Sequence, residues 1–147
     1  MTLAQLINVI ERVALQQPSV NMIVQNDVFR INSAPSLQYG VFAWTQGQHS
    51  GTIQGMQSFS FSLFYVDRLK EDKSNLVEIH SVGCSTLGNI LRMLDIYDIE
   101  VGSYTMQTFS QRFTDECAGV FCNVTLNVPF SFICAEDFSE NNNILIY

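Results

Sequence analysis

Charge is what this chain has least of. Only 14% of its 147 residues are charged, and seven Lys and Arg face fourteen Asp and Glu for a net charge of −7. Globular domains usually carry about 25% charged residues. A surface that grips nucleic acid needs clustered Lys and Arg, so this balance argues against one. Proline occurs three times and cysteine four times, as Cys84, Cys117, Cys122 and Cys134, with no Cys-x-x-Cys pair. No apolar run approaches the ~18 residues of a membrane span. Met1-Thr2-Leu3-Ala4-Gln5 has no basic stretch ahead of an apolar one. No secretory signal is read, so reduced thiols in a cytoplasm are expected. Without secretion, the acceptor-like Asn123-Val124-Thr125 carries no meaning. Gly47, Gly51 and Gly55 are too widely set for a phosphate-cradling loop.

Hydrophobic residues make up 47% of the chain, and Gln, Asn, Ser and Thr are abundant. A monomer with so few charges is poorly protected from association, whereas a subunit covered by neighbours tolerates this composition. The length suits one domain with a real core.

The spacing predicts a helix over Thr2–Gln17. Leu3, Leu6, Ile7, Ile10, Val13 and Ala14 share one stripe, Thr2 with Gln5 fits a capping box, and Pro18 ends it. Short β runs follow at Val20–Val24 and Val28–Ile31 around an Asn26-Asp27 turn, with a loop at Asn32–Ser36. Tyr39–Thr45 is a predicted strand. Gln46–Gly55, with three glycines and almost no charge, reads as a long flexible loop. Gln57–Val66 alternates cleanly, with Phe59, Phe61, Leu63 and Tyr65 on one face and Ser58, Ser60 and Ser62 on the other. That pattern implies a sheet with one buried face.

Asp67-Arg68-Leu69-Lys70-Glu71-Asp72-Lys73 then holds six of the chain's 21 charges. Two readings stand for it: a solvated connection, or salt bridges that set register between subunits. Asn75 with Glu78 suits the start of a second helix carrying Leu76, Ile79, Gly83, Leu87, Ile90, Leu91 and Leu94, with a strand over Leu76–Val82 as the competing reading. Gly83 and Gly88 in that helix permit close contact with the sheet. Ser103–Phe113 and Gly119–Val128 are predicted strands joined by Thr114-Asp115-Glu116-Cys117. Arg112, Asp115 and Glu116 at that tip invite the same two readings as the charged link. The domain is taken as residues 1–130, and 131–147 as an extension whose apolar end, Ile144-Leu145-Ile146-Tyr147, is expected to add a strand to another sheet or dock on a neighbour. The class is α+β, a mainly antiparallel sheet packed on one side by two helices.

Chemical sites are sparse. His80 and Cys84 lie one helical turn apart, but Cys117 and Cys122 lack zinc-ribbon spacing, and core thiols beside a half-exposed histidine account for the set. Cys84 with His49 lacks an orienting third residue and an oxyanion-type turn. Asp95, Asp98 and Glu100 suit a solvated turn better than a cation site. No cofactor, metal or catalytic residue is expected, and the chain is read as a non-enzyme.

The order of elements over residues 2 to 128 resembles the tail-terminator, or tail-completion, family of tailed bacteriophages, compact α+β proteins that assemble as rings. Two segments, Phe64–Asn75 and Phe113–Val124, are similar to parts of neck and tail proteins of Bacteroidales-infecting, crAss-like phages. The resemblance implies a virion structural protein, assembled in the host bacterial cytoplasm as a homo-oligomeric ring of six or twelve copies. Such a ring would contact neighbouring neck and tail proteins, let DNA pass without specific binding, and involve no membrane. A tail-tube or head-completion role, or a small ligand-binding domain with a pocket near Trp44, His49 and His80, are the alternatives.

Overall fold

A computed structural model describes residues 1–27, 31–32, 38–52, 55–110 and 117–129. Helix α1 spans Leu3–Leu15 and α2 spans Leu76–Ile96, while strands β1 (Met22–Val24), β2 (Val41–Gly51), β3 (Met56–Arg68), β4 (Glu100–Ser110) and β5 (Cys117–Pro129) form one sheet. Its order is β1-β2-β3-β5-β4. Only β1 and β2 pair in parallel. The chain runs from β3 through α2 to β4, and β5 returns antiparallel between those two strands.

The capping box of α1 forms as predicted: Gln5 N–H donates to Thr2 Oγ1, and Thr2 N–H donates to Gln5 Oε1. Leu6, Ile10, Val13 and Ala14 are buried on its inner stripe. In α2 the buried residues are Ile79, Gly83, Thr86, Leu87, Ile90, Leu91 and Leu94. The helical reading of Leu76–Val82 therefore holds over the strand alternative. Ser19 Oγ, in the turn after α1, lies 2.6 Å from Thr86 Oγ1 of α2. Both pack on the sheet face that carries Phe42, Trp44, Phe59, Phe61, Leu63, Tyr65, Val120, Cys122, Val124, Leu126 and Val128. An alternating strand buries one face by its two-residue period, and β3 and β5 lie side by side in the middle of the sheet.

Three expectations need correction. Gln46–Gly55 is not a long loop: β2 continues to Gly51, with a bulge between Gln46 and His49. Cross-strand contacts overcome the glycine-rich composition here. The His49 ring stacks on Phe59 at 4.2 Å, and its Nε2 lies 2.8 Å from Gln57 Oε1. The sheet also buries more than one face. Away from the helices, Val24, Ile31, Val41, Ala43, Phe64, Val66 and Cys117 form a second cluster at the β1 end. Lastly, Asn75 does not cap α2 with its side chain. Its Oδ1 accepts from Lys70 N–H and its Nδ2 donates to the Arg68 carbonyl, so it ties the charged link together instead. Of the predicted Val28–Ile31 run, residues 28–30 lie outside the described residues.

Candidate functional site

The helix-free face divides into two halves. Near β1 it is apolar. Toward the β2–β3 turn it carries Ser58, Ser60 and Ser62 from β3 beside Asn123, Thr125 and Asn127 from β5. Register places Ser58 opposite Asn127 and Ser62 opposite Asn123, and both hydroxyls donate to the facing Oδ1, at 2.5 and 2.6 Å. Polar side chains that already satisfy one another form a neutral, hydrogen-bonded surface with little desolvation cost. A shallow depression of 370 Å³ runs beside it, lined by Ser60, Ser103, Thr105, Asn123 and Thr125.

Strand β4 is the sheet edge on that side. Among the described residues it pairs with β5 alone. Its eleven residues include one charge, Glu100. Edges are protected by charges, short length, bulges or cover; β4 is long and carries one charge, and its register shifts between Val101 and Tyr104. Between this edge and α2 lies a groove of 420 Å³ lined by Gly88, Leu91, Arg92, Asp95, Glu100, Val101, Gly102 and Tyr104. The three carboxylates noted at the helix end are thus split: Asp95 and Glu100 border the groove, and Asp98 occupies the turn with φ 61°.

The charged link closes the opposite end of the sheet. Tyr65 O–H donates to Asp67 at 3.2 Å, and Arg68 N–H donates to the same carboxylate at 2.7 Å. Burial, with the Asp67 charge adding to it, raises the Tyr65 hydroxyl above its ordinary value. Asp72 accepts from Ser74 N–H, which holds its carboxyl below the usual range. Arg68, Lys70, Glu71 and Lys73 are exposed and make no ion pair among the described residues. Arg68 pairs with Cys117 and Ser110 with Ala118, so the β4–β5 connection starts and ends at this same end. Arg112, Asp115 and Glu116 within that connection lie outside the described residues, as do Ile144, Leu145, Ile146 and Tyr147.

The candidate chemical sets come apart in space. His80 Nε2 lies 3.2 Å from the Phe109 carbonyl, and Cys84 is exposed. Cys122 is in the main core and Cys117 in the second cluster. His49 pairs with Phe59, whereas Gly83, next to Cys84, packs on Tyr65. Six residues of β3 separate those two positions, about 20 Å at ~3.3 Å per residue. That span also separates His49 from His80. Trp44 is in the core, edge-on to Phe61, with centroids 6.0 Å apart. Trp44, in the core, is likewise set apart from His80, whose ring meets Phe109 on β4. Sequence reading missed the groove at Gly88. The sequence paired Gly88 with Gly83 as a close contact with the sheet, and the structure gives that contact to Gly83 alone, since a Cβ on Gly88 would meet nothing within 4 Å.

No helix of the described residues is long and apolar enough to cross a membrane. No protein-family model matches the chain, and no curated protein matches it.

Proposed function

We propose that this chain is a virion structural protein of a tailed bacteriophage, a ring-forming tail terminator or head–tail connector subunit that surrounds the DNA channel. The observation that supports the reading is the β4 edge, eleven residues long with a single charge and paired among the described residues with β5 alone, set between a hydroxyl–amide face and a groove of mixed character. An isolated domain with such an edge invites association, and a subunit in a closed ring has it covered. Rings need heterologous contacts, so each subunit must offer two unlike surfaces that fit together. Here the β4 strand carries one charge, and the end formed by Asp67, Arg68, Lys70, Glu71, Asp72 and Lys73 carries six of mixed sign. In this reading the charged end, with Arg112, Asp115 and Glu116, fixes register, and Ile144–Tyr147 adds apolar area. A chain with net charge −7 lets DNA pass rather than stick. The order of elements resembling terminator proteins supports the same assignment.

Light scattering and negative-stain imaging of the purified protein test it. The expected result is a closed ring of six or twelve copies with an open centre. Tubes that lengthen with concentration would favour a tail-tube role, and a monomer at high concentration, alone and with neck proteins, would overturn the proposal. Reversing Lys70 and Lys73 to Glu should weaken the ring without unfolding the subunit, because both side chains are exposed.

A further inference from the structure

Helix α2 begins beside one charged surface and ends beside another, and neither holds an ion pair among the described residues. The link before the helix has a fixed shape. Lys73 N–H donates to the Lys70 carbonyl at 2.8 Å, and Asn75 holds Lys70 N–H and the Arg68 carbonyl. Leu69 is buried beneath it. Asp67 and Asp72 accept backbone N–H groups. Arg68, Lys70, Glu71 and Lys73 remain as exposed side chains, three cations and one carboxylate. The groove near the helix end has the opposite balance. Arg92 is its one cation, and Asp95 and Glu100 are its two carboxylates, all three exposed. Leu91, Val101 and Tyr104 supply its apolar lining. Gly88 adds no side chain, and a Cβ there would meet nothing within 4 Å. Such a groove suits lysine, whose aliphatic stem covers apolar surface while its ammonium reaches a carboxylate.

The chain's own link cannot fill this groove. From Leu76, where α2 starts, to Arg92 and Asp95 is about 24–28 Å along the helix axis. Strand β4 gives the same separation: Glu100 opens it, and Ser110 closes it beside the link, since Ser110 pairs with Ala118 and Arg68 with Cys117. We infer that the Gly88 groove is the socket for the Asp67–Lys73 link of a second copy, with Lys70 and Lys73 against Asp95 and Glu100, and Glu71 against Arg92. The inference rests on the reading that the chain assembles with itself, and it names the contact. A link at one end and a groove toward the other make a heterologous contact, the kind that repeats around a closed ring. Charges at such a contact set register and exclude wrong partners more than they add affinity. The link is held in shape before it docks, so little conformational freedom is lost on docking.

The test uses the full chain in two variants. D95K/E100K reverses the groove, and K70E/K73E reverses the link. All four side chains are exposed, so circular dichroism should match the parent. Each variant alone should assemble about tenfold or more weakly than the parent, because like charges then face each other. An equal mixture should recover rings in native mass spectrometry, since the groove of each variant matches the link of the other. Those rings should alternate the two variants and hold an even number of copies. Gly88→Leu, which fills the groove from a position with room for the side chain, should weaken parent assembly as much while leaving the fold intact. Parent rings, with the variants assembling as the parent does, would overturn the inference and leave the assembly reading standing. Loss of assembly in both charge variants with no recovery on mixing would do the same. A parent that stays monomeric would end both.

Discussion

Gly83 of α2 faces Val120 of β5 across a gap that no side chain can enter, since a Cβ would come within 2.7 Å of Val120 Cγ2 and 3.1 Å of Tyr65 Cδ1. Five residues along the same helix, Gly88 faces open space. Gly83→Ala should destabilise the subunit by about 1–3 kcal/mol through overpacking. Gly88→Ala should stabilise it by up to about 1 kcal/mol through helix propensity. Urea unfolding of the two variants should give midpoints shifted in opposite directions. Equal signs would contradict the packing described.

Asn75 ties Lys70 N–H to the Arg68 carbonyl and holds the charged link in one shape. Each such bond contributes about 0.5–1.5 kcal/mol net. Asn75→Ala should therefore cost about 1–2 kcal/mol in thermal or urea unfolding, and Asn75→Asp should keep only the acceptor half. An Ala variant as stable as the parent would show that the link is not held this way.

Trp44 is buried, and its Nε1–H has no acceptor among the described residues. A buried donor left without a partner costs about 1–3 kcal/mol. Trp44→Phe removes that donor and loses part of a ring, so its stability should fall within about 1 kcal/mol of the parent. Trp44→Ala should lose about 3–5 kcal/mol, as large core truncations do. A large loss in the Phe variant would mean that the indole N–H is bonded.

Burial pushes the Cys122 thiol up to about 11 from 9.0. A group raised in the folded state contributes stability that is complete below its unfolded value and disappears as pH rises through the folded one. Stability should therefore decline between about pH 9 and 11, by on the order of 2 kcal/mol from this thiol. Cys122→Val should flatten that part of the decline while the Tyr65 hydroxyl, raised in the same direction, keeps its share. In native protein at neutral pH, iodoacetamide should modify the exposed Cys84 well before Cys122 or Cys117, as peptide mass spectrometry would read.

The elements with strict periods were legible in the sequence. The capping box at Thr2 and Gln5, the stripe from Ile79 to Leu94, and the alternation of Phe59 to Tyr65 and of Val120 to Val128 each appear where expected. Where composition competed with contacts, contacts won. Gln46–Gly51 looked like a loop because glycine and amides are poor strand formers, yet pairing with β3 and stacking of His49 on Phe59 made it a strand. Asn75 looked like a cap because its neighbours on α2 fit one, but the link it closes lies earlier in the chain.

By itself the sequence determined which residues line the main core between helices and sheet, because a period of 2 or 3.6 is written in the order of apolar side chains and needs no partner to be read. It also determined that the surface would be nearly uncharged. Only the tertiary structure decided that β5 inserts between β3 and β4, which puts β4 at the edge of the five described strands. It alone set Gly83 against Val120 and left Gly88 over a groove. Identical glycines five residues apart differ only in what the rest of the fold brings to them. That depends on strand order and packing distance, which local sequence does not encode.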